Sequence, residues 1–94
     1  MNVTIEFTGA ARGIVGQKMI SLDLEEKTTY QGMIRILGKK YPGLVNLLIN
    51  ADGESLMSGN MLVINGDLAT PAFVMQDIPQ DGEFLILMSI VTGG

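Results

Sequence analysis

The chain has no cysteine and no histidine among its 94 residues. Without cysteine it forms no disulfide, no thiolate metal site and no thiol nucleophile. Without histidine it lacks the usual general base and the commonest metal ligand. Together these absences argue against catalysis by this chain alone. Basic residues are scarce and one-sided: Arg12, Lys18, Lys27, Arg35, Lys39 and Lys40 all lie in the first 40 positions. No apolar run approaches the roughly 18 residues of a membrane span. The N-terminus shows no basic segment followed by a long apolar one. A cytoplasmic protein without membrane contact is therefore expected. The small-residue segment Gly9-Ala10-Ala11-Arg12-Gly13 contains no lysine followed by Ser or Thr, so it is not a P-loop.

What is present is apolar and flexible. Apolar residues are 47% of the chain, with 12 glycines and 7 methionines. That hydrophobicity excludes intrinsic disorder. The length predicts one domain over residues 1–94, with one small core. Such a core cannot hide every apolar side chain, so some should face a partner. Methionine suits that task, being unbranched and adaptable. Residues 51–94 hold six acids and no base, while residues 1–50 hold four acids against six bases. An acidic C-terminal half should be steered toward a basic partner surface and away from nucleic acid.

The periodicity predicts an α+β fold. Val3, Ile5 and Phe7 alternate with polar residues as in a half-buried strand. Residues 9–13 read as a loop, and Ile20, Leu22 and Leu24 as a second, antiparallel strand. Thr28-x-x-Gln31 has capping-box spacing. Tyr30, Met33, Ile34, Leu37 and Tyr41 then form one apolar helical stripe. Tyr41-Pro42-Gly43 ends the helix, because the residue before proline avoids the helical region. Residues 44–49 should add a turn or an edge strand, and residues 50–59 a loop. Residues 61–64 and 67–70 form a hairpin through Asn65-Gly66, a type I′ signal. Residues 71–79 are irregular or one helical turn, and Asp81-Gly82 is a second turn. Residues 83–91 are apolar on both faces, as in a strand interior to its sheet. That strand should pair in parallel with the first. The result is a mixed sheet of four or five strands curled over one main helix, the β-grasp or ubiquitin-like architecture.

The chain closes on Ile90-Val91-Thr92-Gly93-Gly94. Glycine has no Cβ, so its backbone enters slots too narrow for other residues. Residues 92–94 are expected to be a flexible tail presenting a carboxylate.

With Phe7, the Arg12 segment, the Thr28 helix ending at Tyr41-Pro42, the Val63-Ile64-Asn65-Gly66 hairpin, Asp81-Gly82-Glu83 and the closing Gly93-Gly94, the chain resembles the MoaD/ThiS sulfur carriers. These are the small subunit of molybdopterin synthase and the sulfur carrier of thiamine biosynthesis. Laid on the family's closing pattern, Glu83 takes an acidic place, Leu85 and Leu87 the inward apolar places, and Met88 the partner-contacting place. Ser89-Ile90 stand where the family has Pro-Pro. The resemblance implies that a ubiquitin-activating-type adenylyltransferase couples the Gly94 carboxylate to AMP. A sulfur donor then displaces AMP and leaves a thiocarboxylate, which a sulfur-accepting synthase uses. ATP and Mg belong to the activating partner, and no cofactor or metal is expected on this chain. Gly94 would bear the sulfur, and Gly93 would let the tail thread a closed channel. Strand alternation points Phe84, Ile86 and Met88 away from the helix. With Ile90 and Thr92 they form the expected partner-binding row, unless another layer such as residues 71–79 covers it. Length and the Tyr41-Pro42 helix end favour molybdopterin synthesis. The alternatives are thiamine synthesis and a ubiquitin-like modifier conjugated through Gly94.

Overall fold

The computed structural model describes residues 1–57 and 59–89. Strand β1 (Asn2–Phe7) buries Val3, Ile5 and Phe7 and turns Asn2, Thr4 and Glu6 outward. It pairs antiparallel with β2 (Met19–Asp23), whose Ile20 and Leu22 are buried. The last strand, β5 (Glu83–Ser89), runs parallel to β1, with Ile5 opposite Leu85 and Phe7 opposite Leu87. On its other side β5 pairs antiparallel with β3 (Asn60–Ile64), which carries the short edge strand β4 (Asp67–Ala69). The sheet order is β2-β1-β5-β3-β4, so β5 is central. This is the mixed sheet expected from the alternation and from the apolar last strand. Asn65 and Gly66 both take positive φ, 48° and 90°. That is the backbone a type I′ turn needs, and glycine adopts it without cost.

The main helix, α2 (Tyr30–Lys40), buries Tyr30, Met33, Ile34 and Leu37 on one side. These sit on the core face of the sheet with Val3, Ile5, Phe7, Leu62, Leu85 and Leu87, all essentially inaccessible. Lys39 and Lys40 lie in its last turn, where cations favour the negative end of the helix dipole. Tyr41 leaves the helical region before Pro42, and a 3-10 turn follows at Pro42–Leu44. Beyond it Leu44, Leu48 and Ile49 close the end of the core. This stretch is the expected turn, with isolated bridges in place of a further strand.

Two expectations are corrected. Residues 9–13 are helical, part of α1 (Gly9–Val15), not a loop. Ala10 and Ala11 are strong helix formers, and Ala11 and Val15, one turn apart, both bury. Gly16, at φ 81°, then stops the helix in the left-handed region that glycine tolerates. The helix cap of α2 is Thr29, not Thr28. The Thr29 hydroxyl accepts the Gly32 N–H at 3.1 Å, and the Thr28 hydroxyl donates to the Glu25 carbonyl. Position N3 is then Gly32, whose lack of a side chain removes the reciprocal bond of a capping box. Helix starts leave backbone N–H groups without partners inside the helix. Here the Tyr30 N–H donates to the Asp77 carbonyl at 2.9 Å and the Gln31 N–H to the Met75 carbonyl at 3.0 Å.

Candidate functional site

The bonds at the start of α2 settle what covers the sheet. The segment holding the short helix α3 (Pro71–Val74) is tied to the first turn of α2, and its Val74 and Met75 pack on the core. The Gln76 amide donates to the Gln31 side-chain oxygen at 2.9 Å, adding a side-chain tie. The segment therefore lies on the helix side and does not roof the opposite face.

On that opposite face β5 presents Phe84, Ile86 and Met88, each half-buried, while Leu85 and Leu87 are 0% and 1% exposed beneath α2. The register extends the row sideways. Paired residues share a face of a sheet. Ile86 is opposite Val63, which is opposite Leu68, and Met88 is opposite Met61. Leu68 is 67% exposed. On the other flank Glu6 lies beside Ile86, and Met19 beside Glu6. The outer face is thus an apolar patch across three strands, β5, β3 and β4, with an acid at one margin. Met61, Val63 and Leu68 were not predicted as part of it. Their alternation was visible, but which strand lies beside β5 is decided by pairing.

Of the remaining predicted site residues, Ile90, Thr92, Gly93 and Gly94 lie outside the described residues. Two side chains bond to the backbone where β1 and β5 finish. The Thr8 hydroxyl donates to the Leu87 carbonyl at 3.3 Å, and the Arg12 Nε–H donates to the Phe7 carbonyl at 3.2 Å. At the other end of β5, Glu83 is buried at 5% exposure and accepts a hydrogen bond from the Tyr30 hydroxyl. Its second oxygen accepts the Gln80 N–H at 3.1 Å. Burial, and then the Glu83 carboxylate beside it, raises the Tyr30 phenol well above its ordinary pKa. Spacing could not reveal this pair, because the partners are 53 residues apart. Its distance from the end of β5 makes it a structural clamp between helix and sheet.

Among the described residues no group of three or more Asp, Glu, His or Cys is placed to hold a metal ion. A shallow groove between α2 and the 45–54 loop is lined by Arg35, Gly38, Lys39, Val45, Asp52, Gly53 and Glu54. The Arg35–Glu54 ion pair, at 2.9 Å and about half exposed, spans it. Neither supplies a nucleophile or an activated base. No described helix is long and apolar enough to cross a membrane.

No family model matches the chain, and no curated protein matches it. Solved structures do. SAMP1 from Haloferax volcanii, 20% identical, superposes over 100% of both chains with a TM-score of 0.81. The fold is the ubiquitin-like β-grasp. The HVO 2177 protein of the same organism is 28% identical, with 100% of this chain and 87% of that one covered and a TM-score of 0.81. A putative molybdopterin converting factor, subunit 1, from Pyrococcus furiosus is 13% identical, with 95% and 97% covered and a TM-score of 0.74. The β-grasp fold that the resemblance to the MoaD/ThiS carriers implies is thus borne out in three dimensions. At identities of 13% and 20% the likeness is one of fold.

Proposed function

We propose that this β-grasp protein is a sulfur carrier. Its Gly94 carboxylate is adenylated by a ubiquitin-activating-type adenylyltransferase, converted to a thiocarboxylate, and used by a sulfur-accepting synthase in molybdopterin biosynthesis. The observation that carries this reading is the apolar row Phe84, Ile86 and Met88, left open opposite α2 on the strand that leads into Gly93-Gly94. An apolar patch on a sheet face is a liability for a free monomer and an anchor for a partner. The Pyrococcus furiosus protein supports the molybdopterin branch by its name and fold.

The chemistry explains the division of labour. A carboxylate is a poor electrophile, because its charge is delocalised and oxide is a poor leaving group. Attack of a carboxylate oxygen on the α-phosphate of ATP releases pyrophosphate and leaves an acyl adenylate. A sulfur donor attacks the acyl carbon, AMP departs, and the product is a thiocarboxylate that is nucleophilic at neutral pH. None of these steps asks this chain for a base, acid or metal. It asks for a narrow end and a surface to dock.

A second reading has its own support. Structures described as small archaeal modifier protein 1 share the fold, so conjugation through Gly94 to lysines of other proteins is the alternative. Intact-mass analysis of untagged protein from its own cell separates the two. A carrier is heavier by the difference between one sulfur and one oxygen, whereas a modifier gives higher bands on a denaturing gel. Deleting Gly94 should abolish adenylation while leaving the melting temperature unchanged. Undiminished ATP–pyrophosphate exchange by the deletion variant would overturn both readings.

A further inference from the structure

The charge that looks divided by halves along the chain is divided by ends in the fold. Asp23 ends β2 opposite Asn2, and Glu25 and Glu26 follow it. Asp81 accepts the Asn2 N–H at 2.7 Å, Asp77 sits at the start of α2, and Asp67 follows the β3–β4 turn beside the first residues of β5. All six are exposed and gather where β5 begins. Lys27 and the N-terminal ammonium, which donates to the Leu24 carbonyl at 2.7 Å, are the cations among them.

The opposite end, where β5 finishes, carries a positive excess: beside the end of α2, Arg35 and Lys39 share a groove with the acids Asp52 and Glu54, and three further cations stand outside that groove. The Arg12 guanidinium is anchored on the Phe7 carbonyl, and Phe7 is opposite Leu87. The Lys18 carbonyl accepts the Phe7 N–H at 2.9 Å, which sets Lys18 at the same height one strand further out. Helix α2 runs toward this end. The 3-10 turn that follows it, Pro42–Leu44, packs beside α1 at Ile14, and Lys40 ends the helix two residues before that turn, its amine 5.8 Å from the centre of the Tyr41 ring. Arg12, Lys18 and Lys40 are exposed. Among the described residues the ion pair found is Arg35–Glu54, and none of these three lies within ion-pair distance of a described carboxylate. Glu6, one row back on the outer face, is the nearest acid along the strand.

Resting on the carrier reading, we infer that the activating enzyme's surface around the entrance for the β5 end is acidic. Arg12, Lys18 and Lys40 dock on it beside the apolar row. The formal charge is −4, so side-on approach to an acidic surface is repelled. Approach with the β5 end leading is attractive. Charge of this kind selects orientation and accelerates encounter more than it adds affinity. It brings the end that must react to the surface first. The alternative occupant, nucleic acid, is disfavoured by the six exposed acids and by the net charge of −4.

The test is steady-state adenylation by the adenylyltransferase encoded in the same genome, with this protein as the varied substrate, at low and moderate salt. Combining Arg12→Glu, Lys18→Glu and Lys40→Glu should raise KM about tenfold or more at low salt, with kcat nearly unchanged. The effect should shrink as salt is added. Glu25→Lys with Glu26→Lys, at the far end, should leave KM within about twofold of wild type. If the triple reversal unfolds the protein, the triple glutamine variant should give the same direction with a smaller change. An unchanged KM in a folded triple variant overturns the inference while leaving the carrier reading intact. So does salt-sensitive retention of the wild type, but not the triple variant, on single-stranded DNA. Failure of the wild type to be adenylated overturns the carrier reading and this one with it.

Discussion

Replacing Tyr30 by phenylalanine removes a single oxygen from the core of this protein, and the structure says what that oxygen does. Its hydroxyl donates to the Glu83 carboxylate, which is 5% exposed and has one other partner, the Gln80 N–H. A hydrogen bond to a charged group contributes about 1.5–3 kcal/mol, and removing one partner leaves the other buried and unsatisfied. A loss of about 2 kcal/mol is expected at neutral pH. A domain of this length has about 5–14 kcal/mol in total, so the loss is a sizeable share. It should lower the melting temperature by about 8–16 °C. Adding Glu83→Gln to Tyr30→Phe should return part of it, because the stranded charge is gone. The pH dependence is a second signature. The fold holds the Tyr30 phenol neutral above its ordinary value, first by burial and then through Glu83. In the unfolded chain the phenol ionises near about pH 10. The contribution is therefore complete below that pH and is lost as pH rises toward the folded value, at up to about 1.4 kcal/mol per unit. Urea denaturation followed by circular dichroism between neutral pH and pH 11 reads both effects. A phenylalanine variant that melts within about 2 °C of wild type and shares its alkaline decline would refute the reasoning.

Leu37 is fully buried beneath the sheet, so Leu37→Ala should cost about 2–5 kcal/mol in chemical denaturation; a neutral result would contradict the packing of α2. Met88→Asp should cost less than about 1.5 kcal/mol, since the side chain stands on the outer face, and should weaken binding to the adenylyltransferase in a pull-down. Leu87→Ala, one residue away but facing α2, should show the reverse balance, with a large stability loss. Equal melting shifts for these two variants would mean that β5 does not separate a core face from a docking face.

Several features were legible because they are local. Val3, Ile5 and Phe7 alternate, so they define a strand with one buried side. Tyr30, Met33, Ile34 and Leu37 recur with the helical period, so they define the helix and its inward stripe. Asn65-Gly66 encodes its turn, because few other pairs accept two positive φ values in succession. The outward direction of Phe84, Ile86 and Met88 follows from the same alternation. Where local signals compete, the reading slipped. Glycines on both sides of Ala10-Ala11 looked like loop, yet burying Ala11 and Val15 made a helix. Thr28 and Thr29 are equally good caps by type, and the carbonyls of Met75 and Asp77 favour the start at Tyr30.

Sequence alone determined which segments become the strands and the main helix, and that the chain has no thiol or imidazole for chemistry. The tertiary structure decided on which side the 71–77 segment lies, which apolar side chains join the β5 row, that Glu83 is buried against Tyr30, and that charge separates by ends. The physical reason is range. Periodicity records what a residue's near neighbours require of it, whereas these outcomes depend on groups 50 to 80 positions apart, such as Tyr30 with Glu83 and Thr8 with Leu87, that meet only when β5 slides in beside β1.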